Sequence, residues 1–199
     1  MEELQKEVFP RSMTQAQIKD IQSKVGVTPD GFWGPKSIAA CQKYLKKLSA
    51  GHTSPSADQA SLTKAYGAAG DESNLVNLKV AGLGVKYDGK PVNTVRCNQE
   101  VADSLLMVLV ALSKFKEGQD ALAEYAGCYN DRLMRGGSLP SLHARGAAID
   151  LMPNTNRNKQ VWPVSANMPF SVMEVFAKHG WLAAGAFWGR DAMHYQKTS

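Results

Sequence analysis

Two short segments near the end of the chain combine histidine and aspartate in spacings that suit metal chemistry. The first contains His143 and Asp150, and the second contains Asp191 and His194. Two imidazoles and one carboxylate are a familiar ligand set for a catalytic zinc ion, which keeps a fourth position for water. Such an ion lowers the pKa of that water toward neutrality and polarises a scissile carbonyl. The two segments therefore predict a hydrolytic site with Zn²⁺ as its cofactor.

Two strands are expected to position these side chains. After residue 146 the apolar residues alternate with others, which predicts a short strand that turns Asp150 away from its apolar neighbours. A carboxylate in such a strand is costly unless it is paired or binds a metal. The neighbours of His194 alternate in the same way. Adjacent strands would direct Asp150 and His194 at one point, with His143 entering from a loop.

Asp191 lies three residues before His194, and this spacing suits a proton shuttle. A carboxylate there can hydrogen-bond the attacking water instead of the metal. The remaining histidines, His52 and His179, have no partner nearby in the sequence, and we interpret them as structural or solvated.

The two segments together resemble the family of zinc D-Ala-D-Ala carboxypeptidases and L-alanyl-D-glutamate endopeptidases, which includes many phage endolysins. Residues 141–150 match the family pattern SxHxxGxAxD, and residues 191–195 match an acidic residue followed by xxH and an aromatic residue. The resemblance implies that the zinc ligands are His143, Asp150 and His194. It also implies that Asp191 is the catalytic acid and base, and aspartate there is typical of the endolysin branch.

Further candidate residues lie around these segments. Residues 127–132 also resemble the endolysin branch, in which an arginine binds the substrate or stabilises the oxyanion, and this assigns the role to Arg132. Arg135 is the alternative, because a guanidinium at either position suits a carboxylate or an oxyanion. Ser141 is a candidate for substrate binding or for holding the loop before the first histidine. Trp188 is a candidate for the wall of the substrate cleft.

A second resemblance concerns residues 10–48. The loop at residues 30–37 reads DGFWGPKS and resembles the DGxxGPxT loop of the three-helix peptidoglycan-binding domain, with serine in place of threonine. The resemblance implies cell-wall binding, for which Asp30 and Trp33 are the candidates. The alternative is a helical hairpin in which Phe32 and Trp33 are core residues and Asp30 only forms the turn.

Local patterns predict the main elements. A capping box at residues 14–17 starts one helix, and a proline at residue 35 starts the next. Asp88-Gly89 predicts a hairpin turn. Asn98 is expected to cap a long helix that ends near Gly118, and residues 171–174 form another predicted capping box. Short strands mixed with helices, without a βαβ rhythm, predict an α+β fold with a small antiparallel sheet.

The expected domain organisation has three parts. Residues 1–48 form a peptidoglycan-binding three-helix bundle, and residues 74–199 form the zinc peptidase domain. Residues 49–73 are small, polar and proline-containing, which predicts a flexible linker, with a short helix near Tyr66 as a further feature.

The composition limits the classes of partner. The chain of 199 residues is 44% hydrophobic and 21% charged, as in a soluble globular protein. Its net charge of +5 favours encounters with a polyanion or an anionic cell envelope. The basic residues are spread along the chain, so nucleic acid is not expected as a partner. No apolar run approaches the ~18 residues of a membrane span, so stable membrane insertion is not expected.

The site of synthesis is also predicted. Residues 1–6 are acidic and mixed, so we expect no secretory signal. Cys41, Cys97 and Cys128 are an odd number of cysteines without metal-type spacing, which fits core thiols in a reducing cytosol. With the phage resemblance, this implies accumulation in the host cytoplasm and action on the cell wall after release.

The resemblances together imply a modular, monomeric endolysin that acts on bacterial peptidoglycan. Cleavage of the L-Ala–D-Glu bond is preferred over carboxypeptidase removal of terminal D-Ala. The alternative from another class is a non-catalytic wall-binding protein with a structural zinc, in which Cys128 would be a fourth ligand. Structural zinc sites favour several cysteines, and that alternative leaves Asp191 without a purpose.

Overall fold

The computed structural model describes residues 12–199. The first eleven residues, where the N-terminal domain is predicted to begin and where no secretory signal is expected, lie outside the described residues. Within the described part, helices and short antiparallel strands are mixed, which confirms the predicted α+β class. None of the helices described is both long and apolar enough to cross a membrane.

Three helices form the N-terminal part of the described chain. They are α1 (Gln15–Val25), α2 (Pro35–Leu48) and α3 (Gln59–Tyr66). The predicted capping box is present at the start of α1, where the Thr14 side chain accepts from the backbone N–H of Gln17. Pro35 is the first residue of α2, as predicted, because its missing N–H costs nothing at that position.

Three small antiparallel sheets follow. The first pairs β1 (Leu75–Lys79) with β4 (Thr94–Asn98), and the second pairs β2 (Lys86–Tyr87) with β3 (Lys90–Pro91). The turn between β2 and β3 confirms the hairpin prediction, since Asp88 and Gly89 have φ values of 49° and 72°. The third sheet has the order β5-β6-β8-β7 and contains β5 (Tyr125–Gly127), β6 (Ala148–Leu151), β7 (Leu182–Ala183) and β8 (His194–Gln196).

Four helices complete the C-terminal part. They are α4 (Gln99–Leu112), α5 (Lys116–Ala123), α6 (Phe170–Lys178) and α7 (Ala184–Trp188). The cap predicted for the long helix is confirmed, because the Asn98 side chain accepts from the backbone N–H of Glu100. Two short 3-10 helices lie in the loops, at Glu72–Asn74 and Leu142–Arg145.

Two predicted helix boundaries are wrong. The long helix ends at Leu112, and Gly118 lies inside α5. A Cβ at Gly118 would lie 2.2 Å from the carbonyl oxygen of Leu112, so the glycine permits close approach of α4 and α5. The second error concerns α6, which starts at Phe170 without a side-chain cap, so Ser171 is not a capping residue.

The N-terminal helices pack directly on the C-terminal part. Glu174 on α6 accepts from Lys24 Nζ at 2.7 Å and from the Tyr44 hydroxyl at 2.8 Å. Trp33 meets Trp162 edge to face, with ring centroids 5.1 Å apart. Buried residues from both parts belong to one hydrophobic cluster. These contacts fix the helices against the C-terminal part.

Residues 49–73, expected to form a flexible linker, also make many packing contacts. Leu62 and Tyr66 of α3 are buried, which confirms the short helix near Tyr66. The Tyr66 hydroxyl donates to the Lys197 carbonyl at 2.7 Å, and His52 Nε2 lies 2.8 Å from the Lys178 carbonyl oxygen. The polar composition that predicted flexibility instead supplies hydrogen bonds to the C-terminal part. The division into domains stays a prediction.

Candidate metal centre

Two central strands of the third sheet position the carboxylate and one imidazole. Asp150 on β6 and His194 on β8 are directly paired across the antiparallel ladder. Directly opposed residues present their side chains on the same face of a sheet. The alternation read from the sequence therefore describes the two strands correctly, and the side chains of both residues are largely buried.

The second imidazole comes from the 3-10 helix Leu142–Arg145. Ser141 caps this helix by accepting from the backbone N–H of His143 at 3.3 Å. Gly146 ends it in the left-handed region at φ 66°, and a Cβ there would lie 2.7 Å from the backbone nitrogen of Asn98. Serine and glycine at these positions thus fix the backbone that carries His143.

The three side chains meet at a small triangle of donor atoms. His143 Nε2 lies 3.2 Å from Asp150 Oδ1 and 3.1 Å from His194 Nδ1. His194 Nδ1 lies 3.0 Å from Asp150 Oδ1. Among the described residues these three form the group that could hold a metal ion.

The opposite side of each imidazole ring sets its tautomer. His143 Nδ1 lies 2.6 Å from the carbonyl oxygen of Cys128, which can only accept, so this nitrogen carries the proton. His194 Nε2 lies 3.1 Å from Gln196 Oε1, which is likewise an acceptor. In the neutral rings, His143 Nε2 and His194 Nδ1 therefore both present lone pairs to the triangle. A hydrogen bond from the ring nitrogen that faces away from the metal is typical of histidines that ligate metal.

The charge of the triangle also suits a cation. Burial disfavours ionisation of Asp150, but the neighbouring His143 and His194 hold the pKa of its carboxyl below the usual value. Three lone pairs 3.0–3.2 Å apart repel one another unless a proton or a cation lies between them. Nitrogen ligands about 2.0 Å from a tetrahedral zinc ion are about 3.3 Å from each other. The donor set and its spacing therefore fit zinc.

Cys128 contributes a carbonyl oxygen and not its thiol. The thiol is buried and donates to the Gly146 carbonyl oxygen at 3.6 Å. Burial raises the pKa of this thiol well above its usual value, which disfavours the thiolate that binds metal. The geometry thus offers no support for Cys128 as a fourth ligand, and a three-ligand site is the arrangement typical of catalytic zinc.

Asp191 lies beside the triangle and has an uncommon backbone conformation and a buried carboxyl group. Its backbone has φ 57°, which is uncommon for a residue other than glycine and clusters at functional sites. Its Oδ1 is buried and has no hydrogen-bond partner in the described part of the chain. Burial raises the pKa of its carboxyl. A carboxylate held in this way is suited to accept and release a proton.

One cavity of about 150 Å³ is lined by most of the site residues predicted for the C-terminal part. Asp150, Asp191 and His194 form part of its lining. A second cavity of about 240 Å³ contains His143 and shares Asp150 with the first. The substrate-binding candidates that line the first cavity are Arg132, Arg135, Ser141 and Trp188. Both arginines line both cavities, so the structure does not separate their roles.

Trp188 forms one wall beside the metal ligands. Its ring stacks on His194 with centroids 5.6 Å apart and planes 26° apart. The side chain stays half exposed, so one face of the indole is available to a ligand. This placement agrees with the expectation that Trp188 borders the cleft.

The two wall-binding candidates lie away from this site and have structural contacts. Asp30 Oδ1 accepts from Gln22 Nε2 at 2.8 Å and from the backbone N–H of Phe32 at 2.9 Å, so it shapes the turn. Trp33 is half-buried against Trp162. Phe32 is 75% exposed and is not a core residue, contrary to the hairpin interpretation.

The sequence interpretation missed Gln196, which holds the outer nitrogen of His194 and donates to Thr198 Oγ1 at 2.7 Å. The spacing could have indicated it, since Gln196 lies two residues after His194 and residues two apart on a strand share a face. The Cys128 carbonyl was missed as well, and no side-chain pattern reveals a backbone acceptor.

Comparison with known proteins agrees with this site. Residues 135–197 match the family model described as D-alanyl-D-alanine carboxypeptidase. The matched segment contains all three metal-ligand candidates and Asp191. No curated protein and no solved structure gives a significant match to the chain. The match supports a metallopeptidase that acts on peptidoglycan, and it covers about the last third of the chain.

Proposed function

We propose that the chain is a zinc-dependent endopeptidase that hydrolyses the L-Ala–D-Glu amide bond of the peptidoglycan stem peptide, in the role of a phage endolysin. The observation that carries the proposal is the buried triangle of His143, Asp150 and His194 beside Asp191. The match of residues 135–197 to a peptidase family supports the same chemistry.

In this proposal, His143 Nε2, His194 Nδ1 and Asp150 Oδ1 hold the zinc ion. When bound, zinc acts as a Lewis acid that polarises the scissile carbonyl and makes water a better nucleophile. The Cys128 carbonyl and Gln196 keep the two imidazoles in the tautomers that leave the ligand nitrogens unprotonated. Asp150 supplies the negative charge.

Asp191 moves the proton. Its buried Oδ1, which has no hydrogen-bond partner among the described residues, accepts a proton from the attacking water, and the resulting carboxylic acid then donates to the nitrogen of the leaving amine. One water and one amide bond are consumed, and a carboxylate and a protonated amine are released. The raised pKa of the Asp191 carboxyl favours uptake of that proton.

Arg132 or Arg135 stabilises the oxygen on which negative charge develops, or binds a carboxylate of the peptide. Trp188 provides an exposed aromatic wall. The N-terminal helices bind the wall polymer, with Asp30 shaping the loop and the exposed Phe32 beside it. Their packing on the C-terminal part gives the wall-binding loop a fixed orientation relative to the cleft. Binding of these helices to the wall keeps the peptidase concentrated at the polymer.

Mass spectrometry of muropeptides after digestion of purified peptidoglycan tests the proposal. The expected products carry L-Ala with a free carboxyl on the glycan side and a new D-Glu amino terminus. The second candidate, D-Ala-D-Ala carboxypeptidase, is favoured by the description of the matched family and predicts loss of terminal D-Ala alone. A digest without either product would exclude both activities and favour the alternative of a non-catalytic wall-binding protein.

A further inference from the structure

A third cavity, lined by three basic residues, adjoins the metal centre. Its volume is about 740 Å³, and it shares Arg135 and Asn158 with the cavity that Asp150, Asp191 and His194 line. The remaining lining residues are polar or small, and none of them is acidic: Gly136, Asn154, Arg157, Lys159 and Gln160. Three cations therefore border one space that shares two lining residues with the cavity at the metal centre.

Among the described residues, Arg157 and Lys159 form no ion pair, and Arg135 has only a longer-range electrostatic interaction with Asp191. The Arg157 Nε donates to the Pro153 carbonyl at 3.2 Å, which leaves its two terminal nitrogens free of hydrogen bonds to the described chain. Glu124 accepts from the lining residue Asn154 at 3.3 Å and does not itself line the cavity.

The loop that carries Arg157 and Lys159 is hydrogen-bonded to residues that flank the two strands of the metal centre. Asn156, which is fully buried, donates to the Met152 carbonyl at 3.1 Å and accepts from the backbone N–H of Met168 at 2.7 Å. Its own carbonyl accepts from the backbone N–H of Met193 at 3.0 Å, immediately before His194. Asn156 is thus a positioning residue that holds the basic loop at a fixed place relative to the metal ligands.

We propose that Arg135, Arg157 and Lys159 form a subsite for a free carboxylate that the substrate peptide carries beside its scissile bond. The inference rests on the proposed function, because that function supplies the peptide. A guanidinium and an ammonium bordering one cavity suit a carboxylate, whereas a neutral amide in its place has no opposite charge and only one acceptor oxygen. The shared residues Arg135 and Asn158 make the subsite continuous with the cleft, so the carboxylate and the scissile bond belong to one bound peptide.

A matched pair of synthetic peptides tests the subsite. Both contain the L-Ala–D-Glu bond, and they differ only in a free carboxylate or a carboxamide on the D-Glu residue. The zinc-loaded wild-type protein is expected to cleave the carboxylate peptide with kcat/KM about 10-fold higher. In the double variant Arg157→Gln/Lys159→Gln, kcat/KM for the carboxylate peptide should fall about 10-fold, to the level of the amide peptide.

Lys43→Gln is the control, because Lys43 is an exposed lysine of α2 that lines neither cavity. It should keep the wild-type preference for the carboxylate. Circular dichroism melting of the double variant checks that its fold is intact. A preference that persists in the double variant would overturn the proposal. The double variant could instead bind intact walls more weakly, in a salt-sensitive way, while it keeps the preference for the carboxylate peptide. That result would also overturn the proposal and would show that the cations attract the wall polyanion.

Calorimetric binding of both peptides to Asp191→Asn protein separates this inference from the proposed function. If wild type cleaves neither peptide, the proposed function fails, and the dissociation constants still report the subsite. The carboxylate peptide should bind about 10-fold more tightly than the amide peptide, and the added substitutions Arg157→Gln/Lys159→Gln should remove that difference. Equal dissociation constants in the protein without those substitutions would refute the subsite.

Discussion

The hydrogen bond from His194 to Gln196 predicts a large effect of a residue that does not touch the metal. His194 Nε2 and Gln196 Oε1 are 3.1 Å apart, and both side chains are buried. Gln196→Met keeps a similar side-chain volume but removes the acceptor. The imidazole then either keeps its Nε2 proton without a partner or moves the proton to Nδ1, where it blocks the lone pair that faces the triangle.

The size of the effect follows from two independent estimates. A buried donor without a partner costs about 1–3 kcal/mol. Since about 1.4 kcal/mol corresponds to a factor of ten, this weakens zinc binding by about 5–150-fold. Loss of the outer hydrogen bond of a metal-ligating histidine costs roughly 10–100-fold in metal affinity. We therefore expect the zinc dissociation constant of Gln196→Met to rise about 10–100-fold.

Competition with a chromogenic zinc chelator measures this constant. Gln196→Glu retains an acceptor at the same position and should bind zinc at least as tightly as wild type. Gln42→Met is the matched control, because Gln42 bonds to the Ala186 carbonyl at 3.1 Å and does not contact the metal ligands. Wild-type zinc affinity in Gln196→Met would refute the tautomer argument.

Three further substitutions test other parts of the structure. Asp191→Asn should keep zinc and lower kcat about 10²–10⁴-fold. Because burial raises the pKa of Asp191 above 3.8, its ionised form costs stability at neutral pH, so Asp191→Asn should melt higher than wild type at pH 7 and show no gain below pH 3.8. Glu174→Ala should lower the melting temperature by about 2–10 °C, because the Tyr44 hydroxyl loses its acceptor. Gly118→Ala should cost about 1–3 kcal/mol of unfolding free energy, because its Cβ would overlap the Leu112 carbonyl.

Matched controls are available for these variants. Glu117→Ala removes an exposed acidic side chain on α5 and should melt like wild type. Gly137→Ala adds a methyl group whose nearest neighbour is 3.7 Å away and should be tolerated. Normal turnover by Asp191→Asn would exclude the proton-transfer role. Unchanged melting of Glu174→Ala would contradict the packing of the N-terminal helices on α6, and a neutral Gly118→Ala would contradict the close approach of α4 and α5.

The local part of the candidate site could be predicted because alternation along a strand determines which residues share a face. Asp150 lies within the otherwise apolar strand β6 and His194 is the first residue of β8, and the antiparallel register places them opposite each other. Caps such as Asn98 could be predicted for the same reason, since their hydrogen bonds span only a few residues.

Contacts between distant segments could not be predicted in this way. The pairing of Lys24 with Glu174 joins residues 150 positions apart, and no local pattern indicates it. Ser171 resembled a cap, yet Glu174 is used in that long-range contact instead of in a capping box. Gly118 looked like a helix terminator because glycine suits both a helix end and a close helix contact, and only the fold decides between them.

Zinc titration of the metal-free protein tests the central claim most directly. New amino termini released from purified peptidoglycan are measured as Zn²⁺ is added. If His143, Asp150 and His194 hold one catalytic ion, hydrolysis should rise from background and reach its plateau at one ion per chain, and His143→Ala should stay at background. Hydrolysis that does not depend on zinc, or a zinc-loaded protein that releases no amino termini, would contradict the account.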